Sequence, residues 1–155
     1  MASTFYNEIL TDHNINPTHK YKMEDATFSL EGVNPSCGDD VVLYLKVNDQ
    51  NMIEEASFFG DGCAISQASA DMMCDLIIGR SKEDALRLSD IFLRMIKDTI
   101  TPEEKEELEE AGILEDIHHM PARVKCAVLG WHTMGQIFRD ADEGKIDKYD
   151  GKFEQ

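Results

Sequence analysis

The residues best suited to chemistry in this sequence are its four cysteines, Cys37, Cys63, Cys74 and Cys126. As thiolates they bind soft metals or act as nucleophiles. Cys37 lies in Asn34-Pro35-Ser36-Cys37-Gly38-Asp39, a run of turn formers that places it on a loop. The Asp39 carboxylate, two residues on, can turn toward the same point. Cys63 follows Gly60-Asp61-Gly62, where a strand pattern gives way to a helical one. A helix N-terminus there favours the thiolate. Asp61 is a candidate cap for that helix, or a support to a metal ligand. Cys126 sits about 200° around its helix from Val124. That is away from the apolar stripe of Val124, Val128, Trp131, Gly135 and Phe138, with Ala127 beside it. Free cysteines that merely pack belong on such a stripe. Cys126 is therefore covered by another element or faces a site.

Cys74 differs. It follows Cys63 by eleven residues of helix, about 16 Å, a gap that zinc–sulfur bonds of about 2.3 Å cannot bridge. It reads as a core cysteine. Cys37, Asp39, Cys63 and Cys126 remain, three thiolates and one carboxylate, a donor set for tetrahedral zinc. The same soft donors suit iron–sulfur chemistry and do not suit magnesium or calcium. No CxxC pair announces the site, and four unrelated buried cysteines fit the spacing equally well. The adjacent pair His118-His119 reads as a surface pair whose side chains point apart. His13, His19 and His132 are isolated and carry no signal. No phosphate-cradling glycine loop, Gly-x-Ser-x-Gly elbow or His-Glu-x-x-His motif is present.

The elements that must position these residues follow from periodicity. Thr4 to Thr11 predicts a first helix, broken by Asn14-Ile15-Asn16-Pro17. Thr27 to Leu30 predicts a strand; Val41 to Val47 and Met52 to Phe59 predict a hairpin across Asn48 to Asn51. Helices are expected from about Cys63 to Ile78, from Ser81 through Ile96, after Thr101-Pro102, and from Pro121 onward. The glutamate-rich run up to Glu110 reads as a solvated face. Past Ala141 the chain turns polar and is expected to fray. The order is α+β: a small antiparallel sheet of about three strands packed against several helices.

Composition bounds the function. The chain has 155 residues, 42% of them apolar, enough for one domain with a real core. With 31 acidic and 15 basic residues, its net charge of -16 argues against binding nucleic acid or an anionic membrane. The longest apolar run, Val41 to Leu45, is far short of a membrane span. The N-terminus has no basic region followed by an apolar stretch, so a cytoplasmic protein without disulfides is expected.

Three stretches carry a family resemblance. They are Asn34-Pro35-Ser36-Cys37-Gly38-Asp39, Gly60-Asp61-Gly62-Cys63-Ala64-Ile65-Ser66-Gln67-Ala68-Ser69 and Pro121-Ala122-Arg123-Val124-Lys125-Cys126-Ala127. In this order the chain, from about Phe5 to Arg139, resembles the IscU/NifU-like iron–sulfur cluster assembly family. Within it the SufU type is the closer match. Lys125 stands where the scaffold type, IscU, carries a histidine before its third cysteine. Met120-Pro121-Ala122-Arg123-Val124-Lys125 does not preserve the scaffold type's Leu-Pro-Pro-Val-Lys motif. The segment from Cys63 to Cys126 is also longer than in that type by about twenty residues, near 79–101, an added helical segment of the kind SufU carries.

The resemblance implies one domain over residues 1–155, with that insertion and a polar tail after about 141. It implies zinc held by Cys37, Asp39, Cys63 and Cys126, and a zinc-dependent sulfurtransferase. Such a protein accepts persulfide sulfur on Cys37 from a PLP-dependent cysteine desulfurase of the SufS type. The resemblance implies that a desulfurase histidine first takes the place of Cys37 on the metal as the donor docks, which frees Cys37 to attack. The sulfur passes to a downstream acceptor in cluster assembly. Arg123, one turn before Cys126, is a candidate to stabilise thiolate or persulfide charge, or a surface arginine paired with nearby acids. The alternative is a scaffold that builds a [2Fe–2S] cluster on the same cysteines.

Overall fold

The computed structural model describes residues 2–142 and 150–155. The β1 strand (Phe28–Asn34), β2 (Asp39–Val47) and β3 (Ile53–Asp61) form an antiparallel meander. Alternation decides their faces: Asp39, Val41, Leu43 and Leu45 of β2 are all buried on one side. A fourth strand, β4 (Asp150–Glu154), pairs in parallel with β1, giving the sheet order β3-β2-β1-β4. The sheet thus has four strands, not the three expected, and one of them is parallel. Where fraying was expected, the last helix runs to Asp142 and residues 150–154 complete a ladder whose register pairs Leu30 with Gly151. Positions 143–149 of that expected polar tail lie outside the described residues.

The helices are α1 (Ala2–Ile15), α2 (Ala64–Ile77), α3 (Lys82–Lys97), the short α4 (Pro102–Glu107) and α5 (Pro121–Asp142). A 3-10 segment, Glu109–His119, joins α4 to α5. Start signals act as the sequence predicts at two of them. Ser81 caps α3 by accepting the Asp84 N–H, and Thr101 and Glu104 form a reciprocal capping box on α4. The glutamate-rich run is largely exposed, and Arg94 pairs with Glu104 and pulls its carboxyl down to about 2.

The core lies between the sheet's inner face and the helices. Leu30, Leu43, Leu45, Ile53 and Phe58 meet Met73 and Ile77 of α2, and Phe92 of α3 stacks on Trp131 of α5 with ring centroids 4.1 Å apart. The Trp131 indole N–H donates to Ser69 Oγ at 3.0 Å, and Ser69 donates to the Ala127 carbonyl at 2.6 Å. These contacts lock α5 against α2, the two helices that carry Cys126 and follow Cys63. Cys74 is fully buried in this core, as its spacing suggested, and burial pushes its thiol well up. The first helix is pinned by a buried group: His13 Nδ1 meets Asp71 Oδ2 at 2.7 Å and His13 Nε2 meets Glu110 Oε1 at 3.2 Å. Among the described residues, no helix is long and apolar enough to cross a membrane.

Candidate metal centre

Cys37 is delivered by the β1–β2 turn. The two strands end in the register pair Asn34↔Asp39, so Pro35 to Gly38 form the loop between them. The Cys37 N–H donates to the Asn34 carbonyl at 3.3 Å, and Gly38 closes the turn at φ 72°, a left-handed conformation that glycine adopts without strain. The turn leaves Cys37 exposed, while its neighbour in the strand, Asp39, is fully buried.

Cys63 caps α2. Its Sγ accepts the Ser66 N–H at 3.4 Å, so the thiol sits at the positive end of the helix dipole. The expected alternative, Asp61 as the cap, is not what forms. Asp61 is exposed, lies opposite Asp40 at the end of β3, and Cys63 takes the capping place two residues later. Cys126 is buried on α5, off the stripe that packs the core, on the side the helical period indicated.

These elements converge. Cys37 Sγ, a carboxylate oxygen of Asp39 and Cys126 Sγ all lie within 4.8 Å of one another, a group that could hold a metal ion. Cys63 stands outside that tight trio, but its thiol interacts with Cys126. The donors fit zinc. Bonds of about 2.0–2.3 Å in a tetrahedral site place ligand atoms under about 4 Å apart, a small side-chain adjustment from the distances seen. The electrostatics fit as well. Burial pushes the Cys126 thiol far up, and contacts with Cys37, Asp39 and Cys63 push it further. A buried thiol beside a buried carboxylate is a site that a divalent cation would relieve.

Arg123 reaches this cluster from the exposed start of α5. Its guanidinium lies near the thiols of Cys126, Cys63 and Cys37, and their proximity raises its pKa. His118 and His119 do not point apart as expected: their rings meet edge to face at 5.1 Å, and His118 Nδ1 bonds the Ile96 carbonyl, which accepts at 2.9 Å.

Two residues of the site escaped the sequence reading. Asn34 is fully buried, and its Nδ2 donates to Asp39 Oδ2 at 3.2 Å and toward Cys126 Sγ at 3.8 Å. Ser66 donates to Asp39 Oδ1 at 3.2 Å. Both stand inside the quoted motifs, but residue type alone gave no reason to single them out.

A model of the NifU-like N-terminal domain matches residues 5–127. The chain belongs to that family. Relatives in it carry two kinds of name. The iron–sulfur cluster assembly scaffold protein IscU of Streptococcus pyogenes is 39% identical over 134 residues, which is 86% of this chain and 82% of that protein. The zinc-dependent sulfurtransferase SufU of Bacillus subtilis is 37% identical over 131 residues, 84% of this chain and 87% of that protein. A crystal structure of an iron–sulfur cluster assembly scaffold protein for the SUF system from Fervidobacterium islandicum superposes with a TM-score of 0.79 at 33% identity, covering 88% of this chain and 98% of that one. The IscU/SufU-like fold and a place in iron–sulfur cluster assembly therefore hold for this member of the family.

Proposed function

We propose that the protein is a zinc-dependent sulfurtransferase. In this reading it takes persulfide sulfur from a PLP-dependent cysteine desulfurase of the SufS type and hands it on to iron–sulfur cluster assembly. The observation that carries it is the contrast among the thiols. Cys37 is exposed on a tight turn, while Asp39 and Cys126 converge on it from buried positions. A donor persulfide can reach Cys37 without unfolding anything. Cys126 is enclosed, and Cys63 is committed to the start of α2.

Cys37, Asp39, Cys63 and Cys126 would hold the zinc. When bound, zinc keeps thiolates deprotonated and shields them from oxidation. The chain's own residues then do the following. The Cys37 thiolate attacks the outer sulfur of the donor persulfide. A Cys37 S–S bond forms, the donor's S–S bond breaks, and the donor cysteine leaves as a thiolate. Arg123 places a permanent positive charge beside the cluster, which favours the anionic forms of sulfur there. Asp39 adds one hard oxygen to three soft sulfurs. The same reading takes the chain as one domain, with residues 79–101, the region of α3, as the added segment.

The second reading, a [2Fe–2S] scaffold on the same cysteines, is favoured by the scaffold names of several relatives. Lys125 and the long segment before Cys126 favour the first. Metal analysis separates them. Protein purified anaerobically without chelators is expected to carry about one zinc per chain and no acid-labile sulfide, matching a single closed donor set. Iron and sulfide in comparable amounts, with zinc absent, would establish the scaffold reading instead.

A further inference from the structure

Asp39, fully buried at the start of β2, has donors on both of its carboxylate oxygens. Its Oδ1 accepts the Cys63 N–H at 2.9 Å and lies 3.2 Å from Ser66 Oγ, whose one proton is shared with the Cys63 carbonyl at 3.0 Å. Its Oδ2 accepts a hydrogen bond from Asn34 Nδ2 at 3.2 Å, and that same amide leans on Cys126 Sγ at 3.8 Å. Asn34, Asp39 and Ser66 are all buried. Gly62 completes the enclosure. A Cβ there would stand 2.4 Å from Ser66 Oγ and 3.1 Å from Asp39 Oδ1, so only glycine lets the Ser66–Asp39 bond form undisturbed.

Asn34 shows that this arrangement is more than packing. Its Oδ1 is buried without a hydrogen-bond partner, in a protein where, among the described residues, only Ser57 Oγ shares that condition. An amide buried with its carbonyl unpaired is costly, and an apolar residue of the same size would avoid the cost. What Asn34 supplies in return is its donor end, shared between Asp39 and Cys126. Outer partners that orient ligating groups are a general feature of metal sites.

We propose that Asn34, Ser66 and Gly62 form a positioning frame for Asp39, holding both of its oxygens and so fixing how the carboxylate is presented to the Cys37–Cys126 thiol pair. The proposal rests on the reading that these side chains hold zinc. The frame sets how firmly the site grips its metal. Residues that make no contact with a sulfur donor thereby influence how readily Cys37 is available.

The test is zinc affinity by competition with a chromogenic chelator, together with the optical spectrum of the cobalt-substituted protein. The chains compared are the unaltered protein, Asn34→Leu, Ser66→Ala, Ser66→Thr and Gly62→Ala. Asn34→Leu, Ser66→Ala and Gly62→Ala are expected to bind zinc about 10–100-fold more weakly, with displaced cobalt bands. Ser66→Thr, which keeps the hydroxyl, is expected to stay close to the unaltered protein. A merely structural role would lower the melting temperature of the metal-free protein and leave the cobalt spectrum unmoved. If Asn34→Leu fails to fold, Gly62→Ala and Ser66→Ala decide. Affinities and spectra unchanged in those two overturn the frame, whether or not the protein transfers sulfur. A protein that holds zinc and responds to these substitutions but accepts no sulfur keeps the frame and loses the sulfurtransferase reading. An unaltered chain that binds no zinc overturns both.

Discussion

Cys37→Ser is expected to lower sulfur acceptance from a cysteine desulfurase by at least about a thousandfold, the scale of losing a covalent nucleophile. Serine keeps the shape of the turn but not the chemistry. Its hydroxyl is not ionised near neutrality, does not attack sulfane sulfur and is a poor zinc ligand. The fold should be indifferent. Cys37 is exposed, and the hydrogen bond its thiol donates, to the Ala122 carbonyl, is long at 3.8 Å. The stability of the metal-free protein is therefore expected to change by less than about 0.5 kcal/mol. Desulfurase turnover with and without the added chain measures the first quantity, and denaturant unfolding the second. A large loss of stability in the zinc-bound protein, with transfer retained, would mean that zinc here is structural. Cys74→Ser, in the core and remote from the trio, should show the reverse pattern: lower stability and retained transfer.

His13→Ala is expected to destabilise the protein by about 3 kcal/mol, because it strips a buried carboxylate of its partner. Asp71 is almost fully enclosed, and without His13 its remaining hydrogen bond among the described residues is from the His19 N–H, 2.9 Å from Oδ1. The pair also predicts a pH dependence. Burial lowers the His13 pKa, but hydrogen bonds to Asp71 and Glu110 and their charges more than offset it, leaving a folded value above the ordinary 6.5. A histidine raised in the folded state contributes stability that is fully present below its unfolded pKa. That contribution fades as pH climbs through the folded value. The stability gap between the unaltered protein and His13→Gln should therefore narrow as pH rises from about 6 upward. Urea unfolding across that range checks it. A gap that stays constant or widens would show that His13 is not protonated in the fold.

His13 is also an instructive failure of sequence reading. It stands alone in the chain, and nothing near it hints at Asp71 or Glu110, which lie 58 and 97 residues away. Long-range polar pairs leave no local pattern. The parallel strand β4 escaped for a related reason. Asp150-Gly151-Lys152-Phe153-Glu154 offers one large apolar side chain, and its partner strand β1 begins more than a hundred residues earlier. The hairpin of β2 and β3 was legible because Val41 to Val47 is rich in β-branched and aromatic residues and its turn is local. The α3 and α4 starts were legible because capping residues act within one turn.

The site followed the same division. Cys37 and Asp39 could be read from a turn sequence, and Cys126 from its position off an apolar stripe. Each is a local signal. Asp61 was misplaced as a cap because both it and Cys63 precede the helix, and only the path of the chain decides which side chain reaches the Ser66 N–H. Asn34 and Ser66 act through Asp39, across a hairpin and between elements, and geometry alone reveals them.

The most direct test of the account is to find where the sulfur goes. The unaltered protein would be incubated anaerobically with a cysteine desulfurase and cysteine, alkylated, digested and weighed peptide by peptide. The account predicts the added mass of one sulfur atom on the peptide that carries Cys37, and none on the peptides of Cys63, Cys74 or Cys126. A desulfurase that turns over while Cys37 stays unmodified, or sulfur found on Cys63 or Cys126 in its place, would contradict it.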